Sequence, residues 1–452
     1  MANQLLTISM ITNRALPVLA NTCVLTDKFN RQYDKEFGQK GRKIGGTCNV
    51  RLPPRYVGTF GPALNVEPSA ENYVPVNILY QFHVDVQFNT INMALDIDEF
   101  QERFIVPAME AVGNRVDSDG AYFAMQQTAN RVGTPGTPPT QFKNFSDARA
   151  ILAAEGLPKG RIPTAALHPL AHSSMADSLK GLFNPQARID EQYETGMIAK
   201  KTAGADWFED QNIAAYSTGT LTGTPVVYTT PGSAFLTQSW AQSGTLTISG
   251  LTNSAAQCYV GDTIQITGVY PVNPQNRNRY GNNYKQFVVL PPGGYAQMAG
   301  AASPGGPQFN SATLTNGTFN ATTGLYTSSG SGRVDLTIAE CVIVSGQFQN
   351  CAYGAGVTTI AGQAVTINGG VASGTSSTEN LYFDRDAFAL AFVDLPLPRT
   401  AAEAERAYDD ELGISLRIVT QYTVNNDAEP TRCDVAYGFG SLYRPLAVRV
   451  SG

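Results

Sequence analysis

Two histidines and two groups of carboxylates are the residues whose types and spacing could support chemistry. His168 and His172 are four positions apart, so a helix would place two metal ligands on one face. Pro169 lies between them, and no glutamate follows His168 as the HExxH zinc motif requires. We therefore interpret this pair as structural. The third histidine, His83, has no cysteine or second histidine nearby in the sequence and is expected to face solvent.

The carboxylates group as Asp384 with Asp386, and as Asp409 with Asp410 and Glu411. Paired carboxylates can act in general acid–base catalysis, but both groups lie beside expected turns or helix ends, where solvated carboxylates are common. The sequence contains no complete nucleophile elbow, phosphate-binding loop or dinucleotide fingerprint. We expect no catalytic residues, no cofactor and no metal site, and we do not expect an enzyme.

The composition is that of a folded protein with many turns. The 452 residues are 42% hydrophobic and only 15% charged, with 43 Gly and 26 Pro, which argues against an all-helical fold. This length predicts roughly two or three domains, each with its own core. The six scattered cysteines form no CxxC pair and are expected to be reduced, buried thiols.

Charge is distributed unevenly along the chain. The formal net charge is −6, yet the first sixty residues hold nine basic residues and three acidic ones. No arginine-rich run is present and no aromatic residues alternate with the basic ones, so we expect a protein partner rather than nucleic acid. The first residues lack the layout of a signal peptide, and no run of eighteen apolar residues occurs, which predicts a soluble protein made in a cytosol.

The first ninety residues predict a helical arm followed by a β-ribbon. Apolar residues over 2–22 recur at loosely helical spacing. From Gly46 apolar and polar residues alternate, and they do so again from Val76 to Phe88, which predicts two long strands joined by residues 58–73. A thirteen-residue strand would reach about 40 Å, and a two-stranded ribbon is marginal in water by itself. Its apolar face must be covered by the rest of the subunit or, as a protruding ribbon favours, by a neighbouring copy.

The remaining chain divides into segments that mix helices and strands and one segment of strands with few charged residues. Helical spacing after Asp96 predicts a long helix kinked at Pro107, and residues 140–215 are expected to mix helices and strands. Charged residues become rare between 216 and 378, where short alternating runs separated by glycine-rich turns predict an inserted antiparallel barrel or sandwich. Strands after 379 are expected to complete the parent sheet. The predicted fold class is therefore α+β.

Several segments resemble the coat protein of the short-tailed phages that infect enteric bacteria. They include MANQLLTISMITNRALPVL, KIGGTCNVRLPPRY, AGADWFEDQNI and VAYGFGSLYRPLAVRV. The resemblance spans nearly the whole chain and is weakest between 291 and 378. It implies the tailed-phage major capsid fold of the Hong-Kong type, with these parts: an N-terminal helical arm (1–45), an extended β-hairpin loop (46–90), a peripheral domain with a spine helix (91–139), the first part of an axial domain (140–219), an inserted β-barrel domain (220–345), a Gly/Ser/Thr-rich surface segment (346–378) and C-terminal strands of the axial and peripheral domains (379–452).

The resemblance also implies a function. The chain would be a major capsid protein that self-assembles as hexamers and pentamers into an icosahedral head around double-stranded DNA. Implied partners are further copies of the chain, a scaffolding protein, a portal protein and packaged DNA bound without specificity, and no membrane is involved. The segment 346–378 is expected to be a surface strand or a site for a decoration protein. The expected location is the virion capsid, assembled in the cytoplasm of the host bacterium.

Candidates for subunit contact lie in the extended loop and beside it; they are Arg42, Lys43, Arg51, Arg55, Tyr80 and Phe82. In the resembled fold this loop lies across a neighbouring subunit, and the alternative for the four basic residues is general solubility. A second function remains open, namely a phage tail or adhesin β-module that binds carbohydrate, suggested by the Ser/Thr/Gly-rich region 216–378. That alternative predicts aromatic platforms and β-repeats, but no fixed period is visible there.

Overall fold

The computed structural model describes residues 8–31, 47–52, 54–67, 69, 71–89, 101–179, 204–228, 241–294, 309–310, 312–398, 403–409, 414–422 and 428–452. Four α-helices lie in these ranges, namely α1 (Ile8–Thr22), α2 (Val106–Gln127), α3 (Phe142–Ala154) and α4 (Pro169–Leu179). A π-helical turn at Gln101–Ile105 leads directly into α2.

Strands make up the larger share of regular structure in the described residues. In chain order they are β1 (Thr47–Leu52), β2 (Asn72–Asn77), β3 (Tyr80–Asn89), β4 (Asn130–Val132), β5 (Thr164–Leu167), β6 (Asp206–Glu209), β7 (Ala215–Ser217), β8 (Val226–Val227), β9 (Ser243–Ser249), β10 (Ala256–Tyr259), β11 (Thr263–Ile266), β12 (Val269–Pro271), β13 (Gln286–Leu290), β14 (Thr318–Asn320), β15 (Leu325–Thr327), β16 (Val334–Ala339), β17 (Cys351–Tyr353), β18 (Val365–Ile367), β19 (Ser376–Thr378), β20 (Asn380–Phe383), β21 (Phe388–Phe392), β22 (Glu403–Asp409), β23 (Ile414–Thr420), β24 (Ala428–Ser441) and β25 (Ala447–Val450).

Two sheets form the parent part of the subunit. In the first, the fourteen-residue strand β24 pairs along one edge with β3 and along the other with β23 and β21, and β22 extends the sheet beyond β23. The second sheet has the order β4–β25–β20–β5–β6. Helices α1 and α2 pack on the first sheet and α3 packs on the second, burying one continuous apolar core. The parent part is therefore α+β, as the sequence predicts.

The end of the N-terminal arm is fixed to α2 by one buried carboxylate. Asp117 accepts hydrogen bonds from the backbone amides of Val24 (2.6 Å) and Thr26 (3.0 Å), and from the Thr26 hydroxyl. The first amides of the 3₁₀ turn Thr26–Lys28, which follows α1, have no acceptor within that turn, and the Asp117 carboxylate supplies one. The predicted helical arm is thus present over Ile8–Thr22, while residues 32–46 lie outside the described residues.

The helix predicted after Asp96 changes its backbone geometry beside Pro107. Residues Gln101–Ile105 form a π-helical turn, Ile105 keeps right-handed helical angles, and the regular helix α2 continues from Val106 with Pro107 in its first turn. Proline has no N–H to donate to the preceding turn, so the hydrogen-bonding pattern of the helix changes at this position.

An all-β unit with its own core is inserted between β7 and β19. Its main sheet has the order β18–β11–β13–β16–β9–β8. The two outer strands also meet, because the amide of Val227 donates to the Gln363 carbonyl (3.0 Å) and that of Val365 donates to the Pro225 carbonyl (3.0 Å). The sheet thus closes on itself around a separate apolar cluster that includes Leu246, Phe287 and Leu336.

The segment 346–378 is not the surface segment that the sequence predicts. It supplies β17 and β18 to the inserted unit, and its side chains Ile360, Val365 and Ile367 are buried in that unit's core. The abundance of Gly, Ser and Thr indicated a surface, whereas only the few apolar residues between them determine what is buried. The inserted unit therefore extends beyond residue 345 to about the 3₁₀ turn Asn368–Gly370.

Five cysteines lie inside the subunit as free thiols, as expected: Cys23, Cys258, Cys341, Cys351 and Cys433. Burial raises the pKa of Cys341 to about 11 and that of Cys351 to about 12. At pH 8 the reactive thiolate fraction of these groups is then about one in a thousand or less. We expect all five to resist iodoacetamide in the native protein and to react fully in guanidinium, as measured by peptide mass spectrometry. Native alkylation of Cys351 at the rate of the unfolded chain would contradict this prediction.

Candidate assembly surface: the extended hairpin and its tip loop

Strands β1 and β2 form a hairpin that lies against the parent sheet. They pair antiparallel from Thr47 opposite Asn77 to Leu52 opposite Asn72. Val50 and Val76 point toward the sheet and pack with Ala389, Ala391 and Leu442 in a small cluster separate from the main core. On the other side the hairpin carries polar groups such as the exposed ion pair between Arg51 and Glu71 (3.2 Å), which adds little stability.

Two glycines of β24 allow this close approach. A Cβ atom on Gly438 would lie 2.0 Å from the backbone oxygen of Asn77, and one on Gly440 would lie 2.5 Å from the Cγ2 of Val76. Any larger residue would displace the end of the hairpin from the sheet. The glycines therefore explain why the chain can leave β2 at Asn77 and enter β3 at Tyr80 directly beside β24.

The tip loop, residues 54–67, projects from the end of the hairpin and exposes large apolar side chains. Leu64 is 91% exposed and Phe60 is fully exposed, and further exposed apolar residues are Tyr56, Val57 and Val66. The Glu67 carboxylate accepts hydrogen bonds from the backbone amides of Val57 (2.6 Å) and Gly58 (2.6 Å), which ties the two legs of the loop together. Clustered apolar residues on a protruding loop indicate a protein–protein contact.

Arg55 connects the tip loop to the rest of the subunit. Its guanidinium lies over the Tyr443 ring (5.3 Å from the carbon to the ring centroid) and donates to the Tyr443 hydroxyl (2.7 Å). Its backbone carbonyl accepts a hydrogen bond from the side-chain amide of Gln347 in the inserted unit. Among the described residues, every hydrogen bond from the tip loop to a part outside the hairpin is made by Arg55.

A cavity of about 630 Å³ lies beside Arg55, between the hairpin, the end of α3 and the inserted unit. Its wall holds buried charges. Glu155 accepts a hydrogen bond from the Tyr280 hydroxyl, and burial raises the pKa of this carboxyl. Burial alone would lower the pKa of Lys285, but the carboxylates of Glu340 (3.7 Å) and Glu155 outweigh it and raise the pKa. The wall thus joins the inserted unit to the parent part through polar contacts.

The structure separates the residues that the sequence proposes for subunit contact. Arg51 and Arg55 lie on the hairpin and at the root of the tip loop, while Arg42 and Lys43 lie outside the described residues. Tyr80 is buried inside the subunit and stacks on Tyr437 with ring centroids 5.4 Å apart.

Phe82 is half-buried, with the Arg115 guanidinium over its ring at 6.0 Å. Both Tyr80 and Phe82 belong to β3, which pairs with β24 and not with the hairpin. Sequence reasoning did not single out Phe60 or Leu64. The only signal was a pair of isolated apolar residues in a glycine- and proline-containing turn, GTFGPALNV.

The histidine pair and the carboxylate pair that could have supported chemistry instead make contacts within the fold. His168 accepts a hydrogen bond from the Leu170 amide at the start of α4 (3.3 Å), and His172 lies 3.3 Å from Glu209. Asp384 and Asp386 share the guanidinium of Arg161, which lies 2.6 Å from the Asp384 carboxylate. Within the described ranges no group of three or more His, Cys, Asp or Glu is arranged to hold a metal ion. The side chain of Asp409, and all of Asp410 and Glu411, lie outside those ranges.

A family model described as "P22 coat protein - gene protein 5" matches residues 3–301. Comparison with curated protein sequences finds no match. None of the helices in the described part of the chain has the length and apolar content needed to cross a bilayer.

Solved phage structures are similar to the chain over most of its length. One from Mycobacterium phage Che8 has a TM-score of 0.41 and 9% identity, covering 95% of this chain and 90% of the other. The capsid structure of cyanophage P-SCSP1u has a TM-score of 0.35 and 11% identity, covering 90% and 84%. The mature capsid of bacteriophage PhiM1 has a TM-score of 0.36 and 7% identity, covering 91% and 83%.

Proposed function

Because the chain belongs to the P22 coat protein family, we propose that its extended hairpin carries the main contact of assembly by docking the tip loop on a neighbouring copy. The protein is a tailed-phage major capsid protein, and copies of it form the icosahedral head of the virion. The observation that carries the docking proposal is the exposure of Phe60 and Leu64 on a loop that the subunit itself leaves uncovered.

The energetics of the tip loop favour a contact with protein over exposure to water. Full burial of one Phe or Leu side chain contributes roughly 1.5–3 kcal/mol. Part of this gain is offset by the entropy lost on association. In a closed shell each subunit makes the same contact, so modest contacts add up around the particle. A loop held in one conformation by Glu67 also loses less entropy on docking than an unconstrained loop would.

We further propose that assembly is guided by a scaffolding protein around a portal protein in the host cytoplasm, and that the shell packages double-stranded DNA without sequence-specific contacts. Two arginines of the parent part, Arg417 and Arg432, are already ion-paired with Asp434. This pairing leaves them unsuited to a dedicated phosphate site. A decoration protein would contact the turns between the strands of segment 346–378. We propose a purely structural role, without catalysis.

Electron microscopy of the protein tests this function. The full chain is expressed alone and together with the scaffolding protein of the same phage, and both preparations are examined by negative stain. We expect closed shells built of hexamers and pentamers, at least in the presence of the scaffolding protein. Monodisperse small oligomers under both conditions would overturn the proposal and would favour the tail or adhesin module instead.

A further inference from the structure

The root of the tip loop is held from two sides by parts of the chain that are far apart in sequence. On one side lies Tyr443 of the parent part, 388 positions from Arg55. On the other side lies Gln347 of the inserted unit, 292 positions away. Residues 56–67 beyond this root make hydrogen bonds only within the hairpin loop among the described residues. Beyond the β1–β2 pairing, which ends at Leu52 opposite Asn72, the contacts of Arg55 therefore fix the direction in which the loop leaves the subunit.

The turn that carries Gln347 is held to the inserted unit by several hydrogen bonds. The side-chain oxygen of Asn350 accepts a hydrogen bond from the Ile343 amide (3.0 Å), and its side-chain nitrogen donates to the Cys341 carbonyl (2.8 Å). The buried ammonium of Lys285 donates to the backbone carbonyl of Asn350 (3.1 Å). These bonds fix the turn between β16 and β17 to the body of the inserted unit. Gln347 can therefore transmit the position of that unit to Arg55.

The inserted unit is in turn fixed to the parent part on the same side of the cavity. The Tyr280 hydroxyl donates to the Glu155 carboxylate, and the Tyr443 hydroxyl lies 3.5 Å from the backbone oxygen of Glu155. The guanidinium of Arg444, next to Tyr443, donates to the backbone carbonyl of Gln242 at the start of the inserted sheet (2.8 Å). The two parts that hold Arg55 are thus linked to each other, which keeps their separation constant.

We propose that the inserted unit acts as an internal brace that sets the direction of the tip loop, with Gln347 and Tyr443 as the residues that position Arg55. The inference rests on the proposed function, because direction matters only if the loop docks on a neighbour. Six residues of extended chain span about 20 Å, so a 10° tilt at Arg55 would move the tip by roughly 3 Å. A displacement of that size is sufficient to lose apolar contacts, which require heavy atoms within about 4.5 Å.

The test measures the loop in the unassembled full-length chain. Nitroxide labels are attached at Leu64→Cys on the tip and Thr323→Cys on the inserted unit, in a Cys48→Ser background, and their distance distribution is recorded by pulsed electron resonance. Tyr443→Phe keeps the ring under the guanidinium and removes only the hydroxyl. Gln347→Ala removes the amide, and Gln349→Ala is the matched control because that side chain bonds to Cys351 within its own turn.

We expect the distribution to broaden by about 3 Å in the double variant Gln347→Ala/Tyr443→Phe and to stay unchanged in Gln349→Ala, with equal thermal unfolding midpoints. The same double variant, without labels, is expected to give irregular shells although its tip side chains are intact. A double variant whose distribution is as narrow as that of the unchanged chain would overturn the brace, whatever its shells look like. Broadening together with regular shells would support the brace and contradict the docking role of the loop.

Discussion

Replacing Phe60 and Leu64 together by serine is expected to leave the subunit folded and to prevent closed shells from forming. Neither side chain packs against its own subunit, so the native fold loses no apolar contact. In the shell, each buried side chain would contribute roughly 1.5–3 kcal/mol to the contact with a neighbour. Losing both would weaken each contact by a factor of about 10² or more. A particle that needs every contact to close would not tolerate such a loss.

The measurement combines the unfolding midpoint of the unassembled subunit with particle counts by electron microscopy. Leu170→Ser is the matched control, because Leu170 on α4 is 70% exposed but lies outside the hairpin. We expect the control to form shells and the double variant to remain as folded, unassembled subunits. Shells formed by the double variant in normal yield would show that the tip loop does not carry the contact.

Replacing Glu379 by glutamine is expected to lower the free energy of unfolding by roughly 3–5 kcal/mol. Glu379 is fully buried beside two buried arginines, 3.0 Å from Arg131 and 4.0 Å from Arg449. Burial lowers the pKa of Arg449, and the charge of Arg131 lowers it further. Glu379 is the carboxylate that is ion-paired with both cations, and the buried Asp262 adds a smaller attraction to each. A neutral amide at this position would leave buried positive charge without its partner, which is the most costly way to break an ion pair.

Chemical unfolding followed by tryptophan fluorescence measures this effect. The control is Asp147→Asn, which removes the acidic partner of Lys143 in an exposed ion pair of 2.5 Å on α3. An exposed pair contributes at most about 1 kcal/mol, so the control should unfold almost as the unchanged chain does. Equal losses in the two variants would contradict the argument, since the effect would then not depend on burial.

Much of the fold follows from residue periodicity. Helical spacing identified α1, and alternation identified β1, β2 and β3. Periodicity did not reveal where a strand changes partner, because residues 72–77 and 80–89 alternate alike although they belong to different sheets. The information about that change lies in Gly438 and Gly440, about 360 positions later in the chain, which leave room for the hairpin. No local pattern could have connected them.

The candidate site was predicted only in part, for a similar reason. Basic residues in an expected loop pointed to Arg51 and Arg55, and the structure places both on the hairpin. Arg55 contacts Tyr443 and Gln347. Both residues are too distant from it in sequence for any spacing rule to apply. Tyr80 was selected because it fits the alternation of apolar and polar residues along its strand. That alternation shows only which residues share one face of the strand. It does not say whether that face meets a neighbouring subunit or the subunit's own core.

The inserted unit leaves and re-enters the parent part at a single point. The side-chain amide of Asn368 donates to the carbonyl of Gly219, 149 positions earlier, at 3.4 Å, and both residues bond to the carboxylate of Asp262. Because its chain ends are adjacent and its core is separate, this unit has the features of a domain that can be replaced by another inserted domain. A foreign β-domain with neighbouring termini could be grafted between these two residues without altering the spacing of the parent strands. Such a graft would display a foreign domain on every subunit of the particle. It would have to replace Tyr280, the partner of the buried Glu155 carboxyl, as well as Gln347, which keeps the tip loop aligned.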